Sequence, residues 1–472
     1  MTVAGGPART SGQPSWWLDD AGAAQIGAEP LEGPTTADVC IVGGGYTGLW
    51  TALRLKEQDP AIDVVVLEAR TCGSGASGRN GGCALTYWHH FTSLQRICGT
   101  VEALRLARAS SQAIGELGAF CAANGIDAGF RPDGWMWTAT NAAQLDSWRS
   151  TMEAIERVAE SPFVEVGPQE LRARTGTRAH LAGVFEADAA SIQPAALALG
   201  LRRVAIERGV RIHERSPMRS LVRERPLVVR TPAGSVTAQT VVLAMNAWAA
   251  GVHEIRNALA IVSSDLAVTA PAPELLGELG LRDGICVSDS RLMVHYYRTT
   301  PDGRLALGRG GARLAYGARI DSSFHGHPPA PRAAWIASSI HRFYPELSSV
   351  PIDATWAGPI DRPADGLPFF SELGREDLIC AAGFSGNGVG PCVLAGRILA
   401  SMVLRRDDEW ARSGLVRPVP GGLPPEPLRA LGGRLVKRAV ARKEAAEDAG
   451  RIPSRLDTRL AALAPTGLVP TK

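Results

Sequence analysis

The first sustained pattern in the chain begins at Asp38. An apolar run, DVCIV, meets three glycines; Leu49, Ala52, Leu53 and Leu55 then recur on one helical face, and a second apolar run, DVVVLE, follows. Short apolar runs bounded by turn residues read as strands buried on both faces, and the three-to-four spacing between them reads as helix. Strand, helix, strand predicts a βαβ unit and therefore a parallel sheet, since parallel neighbours need a crossover connection.

Helical spacing returns in VEALRLARASSQAIGELGAFCAANG, which the Asn124-Gly125 pair should stop, and again from Gln144 towards Glu160. Pro194 suits the first turn of a helix that ends at Gly209. Short strands are expected in VRIHER, RSLVRE, PLVVR and TVVLAMNAWA, the last after a Pro-Ala-Gly turn. Between 261 and 320 the pattern changes to strands joined by turns, among them LMVHYYRTT and RLALGR about Pro301-Asp302-Gly303, as antiparallel hairpins require. DLICAAGFSGNGVGPCVLAGRILASMVL then repeats the opening arrangement of strand, glycine turn and helix, with the helix starting near Val389. After a Pro/Gly-rich linker, a last helix carries Leu431, Leu435, Ala439 and Val440 on one face and six basic residues with no acid between Arg429 and Lys443. Such a helix either lies on an anionic membrane or packs on its own protein with a solvated basic face; the second is expected.

Composition narrows the class without naming a function. A chain of 472 residues exceeds what one core usually supports, so two packed domains are expected. Fifty basic against 47 acidic side chains exclude an electrostatic case for a nucleic-acid partner. Eight scattered cysteines lack metal-ligand spacing, so no metal is expected, and idle thiols in a reducing cytoplasm are the simplest reading. The Gly/Pro-rich first 37 residues read as an irregular lead-in, in which SWWL could dock its indoles, and no segment has the apolar length of a membrane span.

The chemistry resides in the glycine turns. Gly43-x-Gly45-x-x-Gly48 stands between a buried strand and an amphipathic helix, the context in which this spacing binds a dinucleotide: tight turn, close approach to pyrophosphate, close helix packing. Glu68 ends the second strand, where a carboxylate accepts both ribose hydroxyls and repels a 2′-phosphate. FAD is favoured over NAD by the second small-residue stretch, 73–82, beside which an extended cofactor can pass. The late GFSGNGVG favours it too, since helix-start amides there face charge developing on a flavin.

These motifs, with HYYRTTPDGRLALG and GPIDRPADGLPFF, occur in an order that resembles the D-amino acid oxidase-like (glycine and sarcosine oxidase) FAD superfamily, most closely its gamma-glutamylputrescine oxidoreductase-like branch. The resemblance spans about 38–404. It implies an α/β fold of p-hydroxybenzoate hydroxylase-like, glutathione reductase-type architecture: a Rossmann-type FAD domain (38–86, 157–250, 352–410) interleaved with an antiparallel-sheet substrate domain (87–156, 251–351), then a linker and basic helical extension (411–472). Carried over by position, it implies an FAD site of Gly43, Gly45, Gly48, Glu68, Ala69, Arg70, Ser74, Ala76, Ser77, Arg79, Asn80, Gly81 and Gly82. Val222, at the adenine, and Ala244, Gly383, Gly386, Asn387 and Gly388 complete it. Many relatives have His where Asn387 stands, so support for an anionic flavin should fall to backbone amides or Arg79. Relatives that hold FAD covalently use a His or Cys in segments that here read GASGRNGG and TWAGPIDR, so non-covalent FAD is expected.

The implied reaction is oxidation of a CH–NH bond of a small amine or amino acid: hydride passes to flavin N5, the imine hydrolyses, and dioxygen or another acceptor takes the electrons. Tyr296, Tyr297, Arg298, Trp356 and Arg362 are the candidates for the reacting end, although strand alternation forbids all of HYYR from facing one side. His89 and His90 follow the glycine stretch closely enough to reach a flavin, but histidines in such loops are more often surface or structural, which is the reading expected here. The lysine that assists dioxygen in the sarcosine oxidase branch maps to Ala306, with Arg304 or Arg309 as substitute charges, so slow reaction with oxygen is expected. An NAD-dependent dehydrogenase and a flavoprotein subunit without its own turnover are the competing classes.

Overall fold

A computed structural model describes residues 15–23 and 27–465. Part of the lead-in, 1–14 and 24–26, lies outside the described residues. Within it SWWL does dock: Trp17, on the short helix Trp16–Asp20, is buried with its ring 5.8 Å from that of Trp356.

Two mixed α/β layers carry the molecule, each built on an eight-stranded sheet. The first runs Phe369–Glu372, Leu378–Ala382, Gly234–Leu243, Gly33–Val42, Val64–Leu67, Arg211–His213, with the Leu227–Arg230 and Ser220–Val222 strands added beside Gly234–Leu243. Its inner pairings are parallel, and the register sets Val42 beside both Leu67 and Leu243. Consequently the strands end level, and Gly43, Glu68, Ala244 and Gly383 leave them at one edge. That carboxyl edge is where open parallel sheets bind ligands.

Two helices cover this sheet, Tyr46–Gln58 and Pro391–Val403, and Gly396 lets them touch: a Cβ there would fall 2.8–2.9 Å from Trp50 atoms. The Thr100–Ala123 helix stops at Asn124, and the Pro194–Glu207 helix begins on its proline, both as expected. The helix expected over 144–160 is shorter, Arg149–Glu156, because Asp146 takes a left-handed φ of +59°.

The second sheet runs Ile352–Arg362, Ala260–Thr269, Leu305–Leu314, His295–Thr299, Cys286–Asp289, Trp135–Ala139, Ala182–Glu186, Phe163–Val166. All its pairings are antiparallel except that of Cys286–Asp289 with Trp135–Ala139. The hairpin about Pro301-Asp302-Gly303 is present, with the Thr300 N–H donating to Arg304 O at 3.0 Å. Three of its strands differ from the sequence expectation. Phe163–Val166, Ala182–Glu186 and Ile352–Arg362 were counted with the cofactor segments 157–250 and 352–410, yet they pair into this sheet. Short strands carry too few apolar positions to reveal which sheet they join.

The C-terminal helix Leu428–Asp448 packs on the protein itself, through only the Ala439 and Val440 half of the face anticipated. Ala430, Ala439, Val440 and Glu444 are buried, whereas Leu431 and Leu435 are each 56% exposed. Gly433 decides the rotation: a Cβ there would meet Leu314 at 2.3 Å, so this side lies flat on the Leu305–Leu314 strand. All eight cysteines are free thiols. Among the described residues no helix is long and apolar enough to cross a membrane, and no group of His, Cys, Asp or Glu could hold a metal ion.

Candidate cofactor and active site

One cavity of about 1110 Å³ runs along the carboxyl edge of the first sheet and under the second. Its floor is the first glycine turn. Gly43, at φ +118°, leaves no room for a side chain, since a Cβ would lie 2.4 Å from Ala244 O. Gly45 caps the Tyr46–Gln58 helix without a side-chain bond, so the helix start opens on the cavity, an arrangement that favours an anion. Gly48 does not line it; a Cβ there would strike Gly43 O at 2.0 Å, so its task is packing.

Glu68 closes one end. Its Oε2 accepts the Gly44 N–H and its Oε1 the Arg70 N–H, both at 2.9 Å. Burial raises its pKa against the pull of those bonds. A carboxylate has about four acceptor positions, so two remain for ligand hydroxyls.

The second glycine stretch forms a side wall through Ala76, Ser77, Arg79, Asn80 and Gly81, with Ala69 and Arg70 leading into it. Ser77 Oγ accepts the Tyr46 N–H (2.9 Å), Asn80 Oδ1 accepts the Gly82 N–H (2.7 Å), and Arg79 Nε donates to Ser74 O (2.9 Å). Burial, with Arg70 adding, brings the Arg79 guanidinium down to about 9.

The opposite wall comes from Ala244, Asp361, Arg362, Gly386, Asn387 and Gly388. Asp361 accepts the Gly383 N–H (2.5 Å) and an Asn246 amide hydrogen (3.0 Å), and burial pushes its carboxyl up to about 7. Asn387 Nδ2 donates to Thr86 O at 3.1 Å, which fixes the side chain. The Pro391–Val403 helix begins just beyond, again with a glycine cap and no side-chain bond. Arg362 is buried, its Nε has no hydrogen-bond partner, and burial lowers it to about 10.

The roof is the second sheet, through Trp135, Ser264, Leu266, Ser288, Tyr296 and Gly310. Tyr296 reaches Ser264 Oγ at 2.8 Å and lies against Gly81, where a Cβ would come within 2.6 Å of its ring.

Other candidates stand elsewhere. Tyr297 faces the opposite side of its strand, bonded to His180 Nε2 at 2.7 Å among Phe343 and Tyr344. Arg298 holds the glycine stretch from behind: its Nε donates to Gly81 O (2.8 Å), and its guanidinium lies 4.8 Å from the Trp17 ring centre. Trp356 is fully buried and donates from Nε1 to Arg79 O at 2.9 Å. These two are supports, not cavity walls. Ser74, Gly82 and Gly383 contribute backbone geometry without lining the cavity, the last two at φ +74° and +91°. Val222 is also away from it, and Pro217, Met218 and Arg219 line that end instead.

His89 and His90 are buried against each other and Trp135, outside the lining. Ala306 packs with Trp17, Val268 and Trp356, so a lysine there would not face the cavity. Arg304 is paired with Asp302 and Asp353, and Arg309 lies over Trp335; neither lines the cavity. The roof residues Trp135, Ser264 and Ser288 carry no local motif, and alternation shows two faces without telling which one meets a ligand.

Two uncapped helix starts, a strand-end carboxylate and a long channel between them fit an extended dinucleotide. The family model described as FAD dependent oxidoreductase matches residues 38–402, and the chain belongs to that family, with FAD as its cofactor. Gamma-glutamylputrescine oxidoreductase of Escherichia coli (strain K12) is 32% identical over 386 residues, covering 81% of this chain and 86% of that protein. Glycine oxidase of Geobacillus kaustophilus is 25% identical over 388 residues, 78% of this chain and 93% of the relative. The crystal structure of that glycine oxidase superposes with a TM-score of 0.65 at 21% identity, covering 81% of this chain and 99% of the other. The structure of L-proline dehydrogenase from P. horikoshii does so with 0.65 at 19% identity, covering 81% and 100%.

Proposed function

We propose that the protein oxidises the C–N bond of a small amine that carries a carboxylate, an amino acid or an N-substituted relative of one. The observation that carries this reading is Arg362, a buried guanidinium on the cavity wall whose Nε lacks a partner. A buried cation without an anion is costly, and a substrate carboxylate would offset that cost with charge-assisted hydrogen bonds. The names of the relatives, a glutamylputrescine oxidoreductase and a glycine oxidase, agree with a substrate of this kind.

Bound FAD supplies the two-electron acceptor. Gly43, Gly45, Glu68, the 76–81 wall and Gly386–Gly388 would hold it. Arg79 and Arg362 disfavour a protonated amine between them, so the substrate nitrogen reacts with its lone pair free. Tyr296 and Trp135 supply an apolar roof that excludes water, and Ser264 fixes the Tyr296 hydroxyl. The catalytic work is thus positioning and desolvation. Non-covalent attachment belongs to the same reading, because 76–81 and 355–362 contain neither His nor Cys.

Anaerobic mixing with a panel of amines tests it, through bleaching of the flavin absorbance. Amino acids and N-alkyl amino acids should bleach it; the corresponding decarboxylated amines should not. Arg362→Met should raise the KM for a carboxylate substrate by about a hundredfold, the loss of one buried charge-assisted contact. Equal bleaching by the decarboxylated amines, with KM unchanged in the variant, would overturn the assignment.

A further inference from the structure

The Glu68 end of the cavity is walled by a loop reaching over from the second sheet. Tyr316, Gly317, Ala318, Arg319, Ile320 and Asp321 all line it. Ala318 and Ile320 pack on the same apolar cluster as Met218, and the short helix Ser322–His325 that follows the loop sets His325 Nδ1 3.3 Å from Nη1 of Arg70, two residues past Glu68. The loop therefore covers the ribose end of the cofactor site. Gly317 and Ala318 also line a second cavity of about 750 Å³, together with Ala250, His253, Pro425, Glu426 and Arg429. A partition with space on both faces has room to retreat.

What holds it is the C-terminal segment, which lies beyond the 38–402 span of the family model. Glu426 Oε1 accepts the Gly317 N–H at 2.7 Å, and its Oε2 accepts the Ala430 N–H at 3.0 Å. Arg429 fixes the carboxylate from behind, donating from Nε to Oε1 (3.0 Å) and from Nη1 to Arg256 O (2.7 Å). Further along, Lys437 Nζ donates to Ala312 O, and Gly433 sits flat on Leu314, so the same helix grips the strand that feeds the loop.

We propose that the C-terminal segment is a strap and Glu426 its latch, a positioning residue that keeps the loop 316–321 closed over the ribose end of FAD and so sets the rate of cofactor release. The latch acts through the loop and takes no part in the chemistry.

Dilution of yellow holoenzyme, with release followed by the recovery of flavin fluorescence, tests this; the starting colour checks the cofactor separately. Glu426→Ala should release FAD about tenfold faster, as loss of a charge-assisted hydrogen bond implies. Glu426→Gln keeps an acceptor oxygen and should restore release to within about threefold of wild type. Arg442→Ala, on the same C-terminal helix, removes an ion pair with Asp457 of the following helix Arg455–Ala461 and should leave the rate unchanged. Amide exchange should accelerate across 316–321 in Glu426→Ala and not across 305–310. Lys437→Met, which cuts the strap's other tie, should raise release about twofold and gives an independent reading if the alanine variant does not accumulate. Unchanged release in Glu426→Ala and Lys437→Met overturns the proposal, as does equal acceleration in Glu426→Ala, Glu426→Gln and Arg442→Ala.

Discussion

Glu68 is a half-buried and Glu186 a fully buried carboxylate, with different partners, and the difference predicts different consequences. Glu68 is bonded to two amides and faces the cavity, so Glu68→Gln should weaken FAD binding by about 1.5–3 kcal/mol, measured as a dissociation constant by fluorescence titration. Glu186 lies in the second sheet, accepts one bond from Thr86 Oγ1 at 2.5 Å, and leaves its Oε2 unpartnered. Burial pushes its carboxyl from 4.5 to about 8. Folding thus favours the protonated acid: between those two values the folded state binds more protons than the unfolded chain, so stability falls as pH rises through the window. Glu186→Gln should flatten the decline in thermal midpoint between about pH 5 and 8; an unchanged slope would show that other groups set it.

At the scale of elements, close contacts explain which glycines and small residues tolerate no change. Gly396→Ala should destabilise the protein by about 1–3 kcal/mol, since a methyl group would meet the Trp50 backbone of the facing helix, with FAD affinity retained by the folded fraction. Denaturant midpoints and flavin content measured together separate the two effects. Ala306→Lys should likewise lower stability without speeding reaction with oxygen, because its side chain would enter the cluster around Trp17 and Trp356. The strand alternation of HYYR was legible and correct in principle, and it put Tyr296 and Tyr297 on opposite faces. Which of them met the cavity was decided by the helix Ala330–Phe343, whose Phe343 packs on Tyr297 and occupies the other side.

For the whole molecule, the two sheets meet at one cavity, and the residues proposed to hold FAD line it. FAD should leave intact on acid or heat denaturation, with all flavin in the supernatant after the protein is precipitated; flavin on the pellet would mean a covalent link through a wall residue such as Cys83 or Cys392. Among the described lining residues the cations are arginines, with no lysine, since burial lowers the one histidine, His325, to about 4. Reoxidation of substrate-reduced enzyme by oxygenated buffer is therefore expected to be slow in stopped flow. Rapid reoxidation with stoichiometric hydrogen peroxide would contradict that expectation.

The local sequence by itself determined the glycine turns, the strand-end Glu68, the helix start at Pro194, a second start within two residues of the observed Pro391, and the parallel pairing of the strands around them. Each is dictated within a few residues by steric freedom, hydrogen-bond supply or periodicity. Only the tertiary structure decided that Arg298 and Trp356 brace the glycine stretch from behind and that Val222 stands clear of the cavity. It also decided that Trp135, Ser264 and Ser288 form the roof, and that the C-terminal helix turns Leu431 and Leu435 outwards. Those outcomes depend on which face of a strand or helix meets a partner far away in the chain, and a periodic pattern shows that two faces exist without specifying what will cover either.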